Sequence, residues 1–340
     1  MPFRSFRRPF CEGRRFQRST KIMSIGEHTI KACFEALCLN GYPPQQVGRW
    51  LQSQTSIEAV RKVLGDALIA LRAPATEGLS THLDEILKFE GKDKTYVDSK
   101  KLKVSETVAG VDLVVWRGDI CTLQIDAIVN AANSAMLGCF QPDHRCIDNV
   151  IHRAAGPRLR EACQTLIESE KKDMEAEDWS LDTGDARITK AFGSLPSRYV
   201  VHTVGPIVES KIRGKPGKPS SKQEAQLASC YTSSLRLADK QKLESIALCC
   251  ISTGLFGYPQ KEAAQLALRT VRSYLIKNKD TTTLKRVVFN VFLPEDHRIY
   301  QSLFDDETDA TVTLGEAFGT TTKAETNKNV TLGEAFGKKH

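Results

Sequence analysis

The residues with the clearest chemical potential lie within one short segment, NAANSAMLGCFQPDHRCIDNVIHRAAGP at positions 130–157. Cys139, His144 and Cys146 have the spacing C-x4-H-x-C, which fits a loop folded around one metal ion. Zinc binds thiolate and imidazole tetrahedrally, and three protein ligands leave a fourth position for water or substrate. The spacing therefore predicts a zinc site of the catalytic type.

Two alternatives remain open for this segment. In the first, a distant cysteine completes a closed structural site with four protein ligands. In the second, the loop binds no metal. His152 follows Cys146 by six residues, but IDNVIHRAAG is predicted to begin a helix, on which the imidazole could point away from the loop. The ten cysteines of the chain form no spacing framework, so reduced thiols are expected in a chain without a secretory signal.

Two polar segments, WRGDI and NAAN, follow predicted strands. Asp119 in WRGDI could accept a hydrogen bond from an amino group or cap the next turn, and the local sequence favours the cap. In NAAN, the small residues between Asn130 and Asn133 allow a ligand to approach the backbone while the amides donate and accept, although a tight polar turn is the alternative. Ligands of α/β sheets bind beyond the carboxyl ends of strands, so we expect these segments to lie together.

A third segment, CISTGLFGYP at 250–259, follows a predicted buried strand and precedes a helix that begins at about Lys261. It contains Ser252, Thr253, Gly254 and Gly257. Consecutive backbone N–H groups in such a loop can form a nest for an anion, next to the positive end of a helix. The segment therefore predicts a phosphate group as its ligand.

Two regions of regular structure must position these loops. Residues 23–100 are predicted to be helical; SIEAVRKVLGDALIALRA, for example, has helical apolar spacing with Ser56 as N-cap. From about 105 to 304, short apolar runs such as RVVFNVFLP alternate with amphipathic helices, which is typical of an α/β sheet covered on both faces. In KEAAQLALRTVRSYLIK, the buried stripe is predicted to contain Ala264, Leu268, Val271 and Leu275.

The net charge of +7 is concentrated at the N-terminus. Residues 1–22 carry seven basic residues and one acidic residue, a net charge of +6, so no basic folded face is expected to bind nucleic acid. This Arg-rich, nearly acid-free arm is typical of a mitochondrial presequence, and the alternatives are a disordered tail or translation from Met23 with a cytoplasmic location. No apolar run approaches the roughly 20 residues of a membrane span.

The C-terminal residues 305–340 are predicted to form a flexible tail. VTLGEAFG occurs twice, at 312–319 and 330–337, and two copies are too few for a solenoid. A linear motif displayed twice would gain avidity for a partner with two sites, whereas drift after a duplication is the alternative. The partner of these repeats is unknown.

Taken together, the motifs resemble a known family, the macrodomains, which are ADP-ribose-binding α/β/α modules. The matching segments, in the family's order, are GDI, NAAN, IDNVIHRAAGP, TGDARITKAF, VVHTVGP, STGLFGYP and VFLPEDHRIY. The resemblance implies a three-layer α/β/α fold with a mixed central sheet at 101–304, preceded by the helical extension at 23–100. Where the hydrolytic MacroD-type branch has a glycine-rich stretch, this chain has LGCFQPDHRCIDN, which is similar to the zinc-dependent macrodomains.

The resemblance also implies roles for individual residues. Asp119 and Ile120 would meet the adenine, with Phe292 stacking near it and Phe289 as a weaker candidate. Asn133 would bind the distal ribose, and Asp148 matches the carboxylate implicated in hydrolysis. The diphosphate would be held by backbone N–H groups of Ser252, Thr253, Gly254, Leu255, Phe256, Gly257 and Tyr258. Zinc would be held by Cys139, His144 and Cys146.

The activity implied by the resemblance is removal of mono-ADP-ribose from acidic side chains of proteins, by cleavage of either the acyl or the glycosidic bond. In this branch the substrates are linked to lipoyl-carrier proteins modified by a sirtuin-type transferase, which would suit a mitochondrial location. A related reaction is deacetylation of O-acetyl-ADP-ribose. The alternative without catalysis is a reader that binds ADP-ribose, which would be expected to lack the residues at the positions of Asn133 and Asp148.

Overall fold

The computed structural model describes residues 24–175, 177–209 and 217–305. The predicted basic arm and both VTLGEAFG repeats lie outside the described residues. Within them, no helix is both long and apolar enough to cross a membrane.

The helical extension predicted at the N-terminus is confirmed. It contains helices α1 (Ile25–Leu39), α2 (Pro44–Ser53), α3 (Ile57–Ala70) and α4 (Glu77–Asp93). As predicted, Ser56 caps α3, because its side chain accepts a hydrogen bond from the backbone N–H of Ala59. Leu64, Leu79 and Leu83 lie in an apolar core of the extension's own, distinct from that of the α/β domain. The extension thus buries its apolar faces among its own helices.

A seven-stranded mixed sheet forms the centre of the α/β domain. Its strands are β2 (Glu106–Val108), β3 (Val111–Arg117), β5 (Ala127–Ala131), β6 (Ala186–Lys190), β7 (Tyr199–Thr203), β8 (Ser245–Leu248) and β9 (Arg286–Val291). A separate two-residue parallel pair joins β1 (Val97–Asp98) to β4 (Leu123–Gln124). The sheet order is β2-β3-β9-β8-β5-β7-β6, with parallel pairing from β3 to β7 and antiparallel pairing at both outer pairs. The predicted mixed sheet is confirmed.

Five helices complete the described part of the α/β domain: α5 (Ile147–Ala155), α6 (Pro157–Met174), α7 (Ser221–Lys240), α8 (Gln260–Lys277) and α9 (Pro294–Asp305). Helices α5 and α6 pack against each other, and α7, α8 and α9 pack in succession, which gives the predicted α/β/α layers. The predicted stripe of α8 is buried at Ala264, Leu268, Val271 and Leu275.

The sheet topology explains how distant segments meet. Strands β3, β9, β8 and β5 are parallel neighbours, so their carboxyl ends lie at one edge of the sheet. A predicted site segment follows each of these strand ends: GDI follows β3, Phe292 follows β9, and CISTG follows β8. NAAN begins inside β5, at Asn130, and continues beyond the end of that strand. Two of these strands end earlier than the apolar runs in the sequence suggest: β3 ends at Arg117 and β8 ends at Leu248.

Candidate functional site

A cavity of about 450 Å³ at this sheet edge brings most of the sequence-predicted residues together. Asn133 and Asp148 line it beside all three predicted metal ligands, Cys139, His144 and Cys146. On the other side it is lined by Ser252, Thr253, Gly254, Leu255, Phe256 and Phe292. Residues separated by more than a hundred positions in the chain therefore share one cavity.

The three predicted metal ligands converge. The ligand atoms of Cys139, His144 and Cys146 all lie within 4.8 Å of one another, and Cys139 Sγ is 3.3 Å from His144 Nδ1. Bond lengths of about 2.3 Å to sulfur and about 2.0 Å to nitrogen, at tetrahedral angles, place such ligand atoms roughly 3.6–3.8 Å apart. The donor set and its spacing fit zinc with one coordination position left for water or substrate.

Residues that the sequence left as further ligand candidates do not join the cluster. Among the described residues this triad is the one group of three or more potential ligands close enough to share an ion, and His152 is not part of it. Cys163 lies 3.7 Å from His202 Nε2, and Cys230 donates to the carbonyl of Val204 at 3.3 Å. Three protein ligands, rather than four, therefore remain available.

Asn149 holds the metal loop, which we define as residues 138–146, in its folded shape. The Asn149 amide donates to the carbonyls of Gln141 and His144, both at 2.7 Å. Its backbone N–H donates to Cys146 Sγ at 3.4 Å, so Cys146 is also the N-cap of α5. Burial raises the pKa of the Cys146 thiol to about 11, and a bound cation would favour the thiolate instead.

Asn133 fixes the start of the same loop. Its amide nitrogen donates to the Gly138 carbonyl at 3.0 Å, and its oxygen accepts from the Met136 N–H at 3.1 Å. Gly138 has φ of +86°, and a Cβ there would lie 3.1 Å from the His152 ring. The predicted ribose ligand therefore borders the cavity while its own side chain organises the approach to Cys139.

Asp148 is a buried carboxylate on the first turn of α5. Its Oδ1 accepts from the Asn130 amide at 2.7 Å and lies 3.5 Å from His152 Nε2. Burial raises its pKa to about 6, against the opposing effects of the Asn130 hydrogen bond and of the charges on Arg160 and His144. A carboxylate with a raised pKa is a stronger base than one in free water and accepts a proton more readily.

A polar network beneath the cavity supports Asp148. His202 Nδ1 lies 3.3 Å from the Asn130 amide nitrogen, so the second amide hydrogen of Asn130 can point to it. The His202 Nε2–H can then donate to Thr189 Oγ1, 3.0 Å away. Burial lowers the pKa of His202 to about 4, which keeps the ring neutral at physiological pH.

The loop 252–258 presents backbone rather than side-chain donors. The N–H of Gly257 donates to Gly254, and that of Tyr258 donates to Ser252, both at 3.0 Å within the loop. Among the described residues, no acceptor is paired with the N–H groups of residues 252–256. These donors are available to an anion.

Positive φ angles and a close backbone contact shape the same loop. Ser252 has φ of +67°, and its buried hydroxyl has no partner among the described residues. Gly257 also has φ of +67°, and a Cβ there would lie 2.8 Å from the Val208 carbonyl oxygen. Tyr258 is buried behind the loop, so its ring packs in the core and does not line the cavity.

The predicted adenine residues lie in a second, adjoining cavity of about 780 Å³ between the extension and the α/β domain. Asp119 Oδ1 accepts from the Cys121 N–H at 2.9 Å, so Asp119 does cap the turn that follows, as the local sequence favours. Ile120 and Phe292 line this cavity too, and Phe292 borders both cavities with 73% of its surface exposed. Phe289 packs in the core against Tyr300, so the alternative adenine candidate is wrong.

Sequence reasoning missed three residues that organise the site, and it predicted Asn130 to face a ligand rather than to support Asp148. Asn130, Asn149, His202 and Asn290 are each at most 5% exposed, and Asn290 donates to the Gly118 carbonyl at 3.0 Å. A polar residue inside an apolar strand, as at 130, 202 and 290, was the available signal. The partners of Asn130, His202 and Asn290 could not be read from the sequence because they lie on other elements, far away in the chain.

Comparisons with known proteins agree with this geometry. The family model for the macro domain matches residues 129–267. A protein of Staphylococcus aureus (strain MRSA252) named protein-ADP-ribose hydrolase is 46% identical over 208 residues, covering 61% of this chain and 72% of that protein. One of Treponema medium with the same name is 45% identical over 192 residues, covering 56% of this chain and 67% of that protein.

A solved structure gives the same assignment. The macrodomain of Trypanosoma brucei in complex with ADP-ribose is 29% identical, with a TM-score of 0.51, and the match covers 70% of this chain and 94% of that one. This structural match covers more of the chain than residues 129–267, which the family model matches. With a mixed α/β/α sheet, a cavity at the carboxyl ends of its parallel strands and these relatives, the chain belongs to the macrodomain family.

Proposed function

We propose that this protein is a protein-ADP-ribose hydrolase that removes mono-ADP-ribose from acidic side chains of target proteins, with a zinc ion near the distal ribose. The observation that carries the proposal is the shared cavity, which is lined by the Cys139–His144–Cys146 triad and Asp148 together with residues 252–256, the predicted phosphate ligands. The names of the Staphylococcus aureus and Treponema medium relatives support the hydrolytic activity.

In this proposal, ADP-ribose lies across the two adjoining cavities. The adenine would lie by Asp119, Ile120 and Phe292 in the cavity beside the extension. The diphosphate would accept hydrogen bonds from the free N–H groups of residues 252–256, which need no cationic side chain. The distal ribose would then lie between Asn133 and Asp148, beside the metal loop.

Each of these residues would have a distinct task in hydrolysis. When bound, zinc stabilises developing negative charge and lowers the pKa of a bound water. Asp148 would orient the attacking water or accept its proton, because its carboxylate is held by Asn130 and borders the cavity. Asn133 would fix the ribose through the loop that it organises.

The test is release of mono-ADP-ribose from a protein modified on aspartate or glutamate, with zinc content measured before and after chelation. We expect release with one zinc per chain, loss on chelation and recovery on adding zinc. Asp148→Asn should lower kcat by about 10²- to 10⁴-fold while retaining ADP-ribose affinity. Asp143→Asn, an exposed carboxylate of the same loop, is the matched control and should leave kcat unchanged.

Different outcomes would assign a different function. Tight ADP-ribose binding without release from carboxylate-, serine- and arginine-linked substrates would identify a reader. Release that survives complete zinc removal would leave a hydrolase without the metal. Turnover of O-acetyl-ADP-ribose in preference to modified protein would favour the deacetylase reaction.

Other parts of the proposal concern location and partners. A mitochondrial location would follow from the basic residues 1–22, and a lipoyl-carrier protein modified by a sirtuin-type transferase would be the substrate there. A partner with two sites would bind the VTLGEAFG repeats. Fusion of residues 1–23 to a fluorescent protein tests the first point, and capture by a peptide carrying both repeats tests the last.

A further inference from the structure

Phe140, the residue after the first predicted metal ligand, lies close to the guanidinium groups of two arginines. The guanidinium carbon of Arg160, on α6, is 4.6 Å from the centre of the Phe140 ring, and that of Arg72, just beyond α3, is 4.3 Å from it. A cation within about 6 Å of an aromatic face is attracted by the ring quadrupole. Arg72 belongs to the helical extension, so the extension reaches the metal loop itself.

Arg160 is bonded to both parts of the molecule at once. Its Nε donates to the Leu137 carbonyl at 2.8 Å, immediately before the metal loop. Its terminal nitrogens donate to the carbonyls of Leu68 and Ile69, both at 3.3 Å, and to that of Leu71. One guanidinium therefore contacts four backbone carbonyls in two segments that are some seventy residues apart.

The bonds to α3 fill a local need of that helix. The last four carbonyls of a helix have no partner inside it, and the last turn of α3 contains no basic residue. Asn40 donates to Ala67 at 2.9 Å, and Arg160 takes the carbonyls that follow. Lysine could not replace Arg160, because its ammonium lacks the planar array of five donors that reaches several carbonyls together.

The loop transmits this anchoring to the ligands within two residues. Leu137 accepts from Arg160, the Gly138 carbonyl accepts from Asn133, and Cys139 follows directly. Met136, next to Leu137, is fully buried, so the segment that leads into the metal loop cannot shift without disturbing the core.

We propose that Arg160 is a positioning residue which, with Phe140 and Arg72, makes the end of α3 part of the support of the metal loop. In this arrangement the helical extension supports the site from outside the α/β domain. Loss of the contacts between the end of α3 and the metal loop then moves Cys139. The part of the proposal that concerns zinc rests on the proposed function, whereas the position of the loop does not.

The test compares two arginines of α6 in the full-length protein. Arg160→Gln removes the bridge, whereas Arg158→Ala removes an ion pair of 2.6 Å to Asp84 on α4 that does not contact the metal loop. We expect hydrogen exchange across residues 137–147 of the metal-free protein to quicken about tenfold in Arg160→Gln and to stay unchanged in Arg158→Ala. Unchanged exchange in both variants, or equal acceleration in both, would overturn the proposal.

A second readout uses the metal alone. We expect the zinc dissociation constant, measured by competition with a chromogenic chelator, to rise about tenfold or more in Arg160→Gln and Phe140→Leu, as for other residues that orient ligands. Phe140→Tyr keeps the stacking face and should retain zinc affinity. If wild-type protein binds no zinc, the zinc site fails, and the exchange experiment still decides whether Arg160 positions the loop.

Discussion

Two loops line the cavity of about 450 Å³, and they present their functional atoms in different ways. The metal loop offers side-chain atoms, two sulfurs and an imidazole nitrogen, held by Asn149, Asn133 and Arg160. The loop 252–258 offers the backbone N–H groups of residues 252–256, and its shape depends on positive φ angles at Ser252 and Gly257. The first loop is thus supported by side chains from other elements, and the second mainly by its own backbone.

This difference predicts how each loop responds to substitution. In the metal loop, the identity of a few side chains decides function, and conservative changes of these residues should abolish catalysis without unfolding the protein. In the loop 252–258, most side chains can change, whereas a Cβ in the wrong place should distort the donors.

Cys146→Ser should give the largest effect. The hydroxyl can still accept the Asn149 N–H at the N-cap of α5, but it is a poor zinc ligand. We expect zinc to be lost and kcat to fall on the order of 10³-fold, with ADP-ribose affinity within about threefold, because zinc supplies several kcal/mol of charge stabilisation in the transition state. Cys38→Ser, in the extension, is the control for loss of a thiol. Full turnover in Cys146→Ser would contradict the catalytic role of the metal loop.

Acid should destabilise the polar network beneath the metal loop. The pKa of His202 is lowered by burial from 6.5 to about 4, so the unfolded chain binds a proton that the folded protein excludes. The stabilising effect of the neutral ring is therefore complete above pH 6.5 and lost as the pH falls towards 4, with roughly 2.5 kcal/mol lost by pH 4.5.

Chemical denaturation of wild type and His202→Gln at several pH values measures this effect. The free energy of unfolding should fall more steeply with acid in the wild type, since the glutamine does not titrate. Parallel pH profiles would show that His202 does not account for the acid sensitivity.

Two glycines of the loop 252–258 form a matched pair. Gly257→Ala forces a side chain into a positive φ and brings its Cβ to within 2.8 Å of the Val208 carbonyl, so unfolding should become easier by about 1–2 kcal/mol and ADP-ribose affinity should fall. A Cβ at Gly254 meets nothing within 4 Å, and its substitution should leave stability within about 0.5 kcal/mol. Thermal unfolding and titration calorimetry measure both quantities. Equal losses in the two variants would mean that backbone shape is not what the loop requires.

Phe292→Ala should have the smallest effect on binding. Its exposed ring borders both cavities, and loss of aromatic stacking on adenine should weaken ADP-ribose binding by about 1 kcal/mol without changing zinc content. Titration calorimetry with ADP-ribose and with ribose 5-phosphate, which lacks the base, separates stacking from other losses. A similar loss for both ligands would place the adenine elsewhere.

Several features of the fold were readable because they depend on local patterns. The stripe on α8, the cap at Ser56 and the buried strands follow from apolar spacing and from the chemistry of helix ends, and all are confirmed. Strand β6 was missed, because ARITK at an outer pair alternates weakly and has no long apolar run. The apolar runs VDLVVWRGDI and SIALCCIST predict later ends for β3 and β8 than the structure has, because both runs continue into loops that pack on the sheet.

The chemical composition of the site can be read from the amino-acid sequence alone. Thiols, an imidazole and a carboxylate at short spacing indicate metal-dependent chemistry in any fold, because coordination depends on the type of ligand atom and on how close the ligands lie in the chain. Which residues support these ligands depends on the tertiary structure. Asn130 reaches Asp148, His202 reaches Asn130, and Arg160 reaches both α3 and the metal loop, through contacts between elements whose separation in the chain gives no sign of their meeting in space.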